Sequence, residues 1–364
     1  MSFDVPYPPD YGGAADVFYK IKALKQAGCS IILHCFEYGR GQRQELNQYC
    51  EAVHYYPRNG ATSFASALPY IVASRRSEAL VNNLAAVDAP ILFEGIHTTA
   101  CLSHPALADR KKAIRIHNIE HDYFRQLATS ETRFFKQMIY RAEAARLKTY
   151  EAGLTDCSTF VALSAADNEH FKRLYPAARH QWIPPFHQYD TIDIQPGTGT
   201  YALYHGNLSH PENIEAALFL VTKVASLLHI PLTIAGKDPD KRIAAACVQH
   251  NCQLIANPDS ATMNDLLRQA QVNVLTTFQT SGVKLKLMAA LFGGRHLVVN
   301  NHMLHGTGLK ADICPLGNTA TELAQLINNI KDTPFTEDEI AHRSAALYNY
   351  TNAINAQKLI QILC

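Results

Sequence analysis

Two lysines, Lys284 and Lys286, follow the small-residue turn Thr280-Ser281-Gly282-Val283 and open an apolar run to Phe292. The run predicts a helix over 284–292, with both cations in its first turn. Cations there oppose the helix macrodipole, which costs stability unless an anion is present. Backbone amides of Ser281, Gly282 and Val283, the dipole and two ammonium groups together describe a diphosphate site. Two solvated lysines are the plainer alternative.

Three other loops combine residues of this kind. Gly12-Gly13 lies just where a helix begins, after Pro6 to Tyr11, and the missing β-carbons let backbone N–H groups approach a phosphate or sugar. A simple turn explains the pair equally well. Tyr204 to Asn213 follows a strand; Gly206 permits close backbone approach, and Asn207 and Asn213 carry side-chain amides. A helix cap ahead of Pro211 is the alternative there. His117 ends the run Lys112 to Ile116, where its ring nitrogen can meet a sugar hydroxyl or a reacting oxygen. His117 and His121 also have the i,i+4 spacing of a metal pair, although a polar turn or substrate contact fits them better.

These loops need elements to hold them. Short apolar runs at 31–36, 90–95, 112–117 and 159–164 read as strands, interleaved with helices near 14–26, 131–152 and 165 onward. Pro184-Pro185 and Gln195-Pro196-Gly197-Thr198-Gly199 mark a linker. The alternation then restarts. Strands are expected at 201–205, 232–236, 253–256, 272–275 and 296–300, with helices at 212–228, 241–251, 261–269, 284–292 and 319–331. Two β-α series predict two doubly wound α/β domains with parallel sheets, and ligands beyond the carboxyl ends of the strands, in a cleft the two sheets face. The expected domains are 1–190, 198–335, and a C-terminal helix at 336–364 packing back on the first.

Composition removes other classes. The 364 residues carry Lys+Arg 33 against Asp+Glu 32, a formal charge of +1, so a nucleic-acid partner is not expected. No apolar run reaches membrane-spanning length. The start, Met1 to Pro6, lacks a basic, apolar leader pattern, which makes a cytoplasmic setting the expectation. The 9 Cys form no C-x-x-C, so neither a disulfide framework nor a zinc ribbon is expected. Residues 110–148 hold ten Lys/Arg against four Asp/Glu, interleaved with aromatics. Such a stretch can pack its aromatics in a core, or lie peripherally on the inner membrane face.

Taken in order, these segments resemble the retaining glycosyltransferases of the GT-B fold, in the large bacterial mannosyl- and glucosyltransferase group that is glycosyltransferase family 4-like. The anchors are Pro8 to Gly13, His117 to Glu120, Val161 to Ser164 with Asp167, Gly206 to Ser209, and Gly282 to Leu291 followed by Gly293 to Val299. The resemblance implies a hexosyltransferase that moves a sugar from a nucleotide-diphosphate sugar, GDP- or UDP-linked, to a glycan or lipid-linked acceptor. The anomeric configuration would be retained, with no resident cofactor and no metal. It implies polysaccharide biosynthesis as a setting, the acceptor on the first domain and the donor on the second. Gly12 and Gly13 would face the donor and His117 the transferred sugar. Gly206, Asn207, Ser281, Gly282, Val283, Lys284 and Lys286 would line the donor site, and the stretch to Asn257 would cradle the base.

The chain departs from that pattern. The two motif glutamates correspond to Ser281 and Ala289, and the usual Arg and Lys after the first strand of the second domain correspond to Asn207 and an uncharged position near Asn213. The first strand, Met1 to Val5, is also brief. A degenerate protein that binds a sugar nucleotide or a partner without turnover is therefore an alternative. So is a sugar-nucleotide epimerase, with Glu94, Glu120 and Asp122 as its first-domain acids.

Overall fold

A computed structural model describes residues 1–60, 63, 66–279 and 284–364. The chain forms two compact units, Met1–Gln188 with Asn352–Cys364, and Tyr189–Thr351.

The first unit holds two parallel sheets. β1 (Ile32–Glu37) pairs with β2 (Ala52–Pro57), and β3 (Ile91–Glu94), β4 (Lys112–Ile116), β5 (Thr159–Ala162) and β6 (Arg179–Trp182) form a second sheet in that order. The segment expected as a first strand is a single bridge, Ser2 to Cys35. It stitches the two sheets: Ser2 N donates to His34 O (2.7 Å) and Glu94 N donates to Met1 O (3.0 Å). Phe93, Ile114, Phe160 and Phe171 fill the core beneath.

The second unit is one parallel sheet, ordered β11 (His296–Val299), β10 (Val272–Leu275), β7 (Ala202–Asn207), β8 (Leu232–Lys237), β9 (Gln253–Ala256). Gly206 on β7 stands opposite Gly236 on β8. A β-carbon at Gly236 would lie 1.8 Å from the Gly206 carbonyl oxygen, so only glycine lets the strands close there. The helix expected at 212–228 is α-helical over Pro211–Phe219, then passes through a π turn (Leu220–Val224) and a 3-10 turn.

The expected single helix at 336–364 is two helices, Glu337–Ala346 and Asn352–Leu363, separated by a 3-10 turn at Tyr348–Tyr350. Arg343 on the former donates to the carbonyls of Gly294 and Arg295 in the second unit. The latter puts Ala356, Leu359 and Ile362 against Ala23, Ala113, Val161 and Phe186 of the first. Asn352 begins it and holds the His187 backbone from both sides, accepting from His187 N (3.1 Å) and donating to His187 O (2.7 Å).

Candidate functional site

In the first unit the residues of interest collect at the carboxyl ends of β3 and β4. The helix Gly12–Gln26 packs there with its Asp16 and Lys20 facing inward, both buried. Lys20 Nζ lies 3.0 Å from Asp16 Oδ2 and 2.7 Å from Glu94 Oε1. Arg115, in the middle of β4 and fully buried, reaches Asp16 Oδ1 at 2.9 Å and donates to the carbonyls of Ile183 and Pro184. Burial opposes ionisation of both carboxyls. Arg115 and Lys20 outweigh it at Asp16, and Lys20 and His117 at Glu94, so both are held below the usual carboxylate range.

His117 completes the cluster, its Nε2 3.0 Å from Glu94 Oε2 and its ring edge-on to Phe3 (centroids 5.3 Å apart). Phe3 also bounds Gly13, where a β-carbon would lie 2.6 Å from the Phe3 ring, whereas Gly12 has open space. Gly13, Phe3 and His117 are thus one contiguous wall. Asp16, Glu94 and His117 stand close enough to share a metal ion. The Lys20 ammonium already bridges the two carboxylates, so a divalent cation would have to displace it.

As the sequence favoured, His117 and His121 are not a helical metal pair. The helix starts only at Glu120, so His117 belongs to the strand end, while His121 Nδ1 bonds Glu151. Beyond it lies a second buried polar group. Glu120 is pushed up to about 8 by burial, with Glu151 adding to the rise, and Asp167 to about 6, mainly by burial. His97 Nδ1 stands 3.9 Å from Glu120 Oε1, and burial lowers its pKa.

In the second unit the lysine turn gains partners. Lys284 is the N-cap of the helix Leu285–Gly293, and its Nζ pairs with Glu212 at 3.3 Å. Lys286 Nζ donates to Asn213 Oδ1 (2.8 Å) and Tyr204 Oη (3.0 Å) and sits over the Tyr204 ring. Burial lowers Lys286 to about 7; Glu212 opposes that shift and Lys284 adds to it. Asn213 Nδ2 donates to Asn207 O (2.8 Å), and Asn207 Oδ1 caps Ser209 N. Gly206, Asn207, Asn213, Lys286 and Tyr204 are therefore one connected group at the end of β7. Asn257 stands two strands away in a left-handed conformation (φ 52°), its Oδ1 accepting from Asp238 N at 2.7 Å. Asn300 pins the approach to the lysine turn, donating to Thr277 O (2.7 Å). Ser281, Gly282 and Val283 lie outside the described residues. Ala289 packs beside Leu203, Ala235 and Leu267.

Asp16, Lys20, Arg115 and His97 were not expected at these sites, and Tyr204 was expected only as the start of its loop, with no role of its own. A signal existed for Arg115, a charge inside an otherwise apolar strand run. The i,i+4 pair of Asp16 and Lys20 reads from sequence as an ordinary solvated helix pair.

No protein-family model matches the chain. A relative, an uncharacterized 44.6 kDa protein in the cps region of Klebsiella pneumoniae, is 23% identical over 329 residues, covering 85% of this chain and 84% of its own. A glycosyltransferase from Rickettsia africae superposes with TM-score 0.63 at 12% identity, covering 99% of this chain and 97% of that one. The UDP-forming α,α-trehalose-phosphate synthase of Burkholderia xenovorans, in complex with glucose-6-phosphate, gives 0.60 at 11% identity, covering 100% and 98%. HepE of Anabaena, in complex with UDP and glucose, gives 0.59 at 13%, covering 97% and 95%. With its two parallel α/β units, the chain has the GT-B fold of these structures.

Proposed function

We propose that the protein is a glycosyltransferase that takes a hexose from a UDP-sugar, with retention, and adds it to a growing glycan or lipid-linked acceptor. The observation that carries this is the lysine pair at the carboxyl edge of the second sheet. Glu212, Asn213 and Tyr204 hold it beside the start of an apolar helix. Lys286 is kept in a desolvated place where its charge is costly until an anion arrives. A departing diphosphate gains negative charge as the sugar bond breaks, so pre-positioned ammonium groups and amides stabilise the transition state more than the bound donor. Gly12, Gly13, Gly206, Asn207, Asn257, Ser281, Gly282 and Val283 are assigned to the donor, and His117 to the transferred sugar. UDP is preferred over GDP because two of the similar structures are named for UDP. The relative in a cps region supports polysaccharide synthesis as the setting.

The test is calorimetry and thermal shift with UDP- and GDP-sugars. A donor at about 100 times its dissociation constant adds about 2.7 kcal/mol of stability. Lys286→Ala removes that gain and leaves the melting of the free protein cooperative. No stabilisation by any nucleotide sugar overturns the reading. The apolar setting of Ala289, where the family carries a carboxylate, favours a second reading, binding without turnover. Donor binding with no transfer to any acceptor and no hydrolysis by water selects it.

A further inference from the structure

The helix Phe134–Glu151 has two faces that both look like cores, and only one is covered. Gln137, Tyr140, Ala144 and Leu147 turn toward the protein, with Gln137 Nε2 donating to Ala128 O (3.0 Å) and the Tyr140 ring against Phe124. On the opposite side Phe134 (67% exposed), Phe135 (83%), Met138 (48%) and Ile139 (57%) stand in water. Their i, i+1, i+4, i+5 spacing makes one ridge over the first two turns. Among the described residues no other stretch exposes four large apolar side chains.

The ridge is bordered mainly by cations, with the carboxylate of Glu131 at its N-terminal end accepting from Arg133 N (3.0 Å). Arg133, Lys136, Arg141, Arg146 and Lys148 are all exposed. The single carboxylate between Arg133 and Tyr150, Glu143, is buried and accepts from Ile71 N. At about 100° per residue, Arg141 and Lys148 flank the ridge on one side and Lys136 on the other, while Arg146 continues the line of Ile139 two turns on.

We infer that this face docks the protein on a membrane surface rich in anionic lipid. The apolar ridge enters the headgroup–acyl boundary, and the flanking cations meet lipid phosphates. A second copy would bring the same cationic border into contact with itself, and like charges repel. A ridge that protrudes suits a fluid surface, and its cost in water is that of an exposed apolar patch.

The experiment is co-sedimentation of the full chain, without donor, with vesicles of phosphatidylcholine alone or with about one-third phosphatidylglycerol. Binding is expected only to the anionic vesicles, and it weakens as salt is raised. Each of Lys136→Gln and Arg141→Gln lowers the partition about fivefold. The double variant F135S/I139S abolishes binding while its melting temperature and donor binding stay unchanged, since both side chains are exposed. Three results each overturn the inference. They are no binding to anionic vesicles, equal binding by the variants, or a lipid-free dimer that F135S/I139S dissolves. Because donor binding is measured separately, loss of the membrane inference leaves the sugar-transfer reading to its own test.

Discussion

Glu120 shows most directly how a single side chain shapes this protein. Its carboxyl is buried, and burial, with Glu151 adding, raises it to about 8. In the unfolded chain it titrates near 4.3, so between about pH 4.3 and 8 the native state binds more protons than the unfolded one. The Glu120 contribution therefore makes stability fall as pH rises through that window. Glu120→Gln keeps the shape and removes the titration. Melting temperature against pH is expected to fall less steeply for the variant between pH 5 and 8, and an identical slope would refute this. The sequence exposed some of this site and hid the rest. His117 and the lysines were legible because strand ends and helix starts have recognisable patterns. Glu120 was visible as a first-domain acid, but its depth was not: burial depends on Ile119 and Phe124 packing on a core built from distant segments.

At the scale of elements, Asp16 is the main clasp of the first unit. It joins the helix Gly12–Gln26 to β4 through Arg115, to Glu94 through Lys20, and to the chain after β6 through Phe186 N (2.8 Å). Removing one partner of a buried charge network leaves the others uncompensated, at a cost of about 3–5 kcal/mol. Asp16→Ala is expected to lower the first unit's unfolding free energy by that amount, read as a lower urea midpoint at unchanged m-value, and a midpoint within error of wild type would contradict the clasp. The two strands without a sequence signal, β2 and β6, are the ends of their sheets. Arg179-His180-Gln181-Trp182 is at most half-buried, so it lacks the apolar run that marked the inner strands. The break at 347–351 was also hidden, because Leu347 and Tyr350 are buried and read as helix-compatible.

For the whole molecule, the decisive fact is that the first unit is assembled from both ends of the described chain, around a second unit that is continuous. Leu359→Ala in the returning helix is expected to cost about 2–5 kcal/mol. Hydrogen exchange would then report lost protection in β4 and β5 while β7 and β8 keep theirs. Equal loss in both units would mean that they unfold as one. The discontinuity also has a consequence in time. During synthesis, Ala23, Ala113, Val161 and Phe186 are made before the second unit, yet their cover, Ala356 to Ile362, is made only after it. At about 5–20 residues per second, the ribosome takes on the order of ten to thirty seconds to translate the intervening second unit. Through that interval the nascent first unit carries an uncovered apolar seam, which closes only when the helix Asn352–Leu363 emerges.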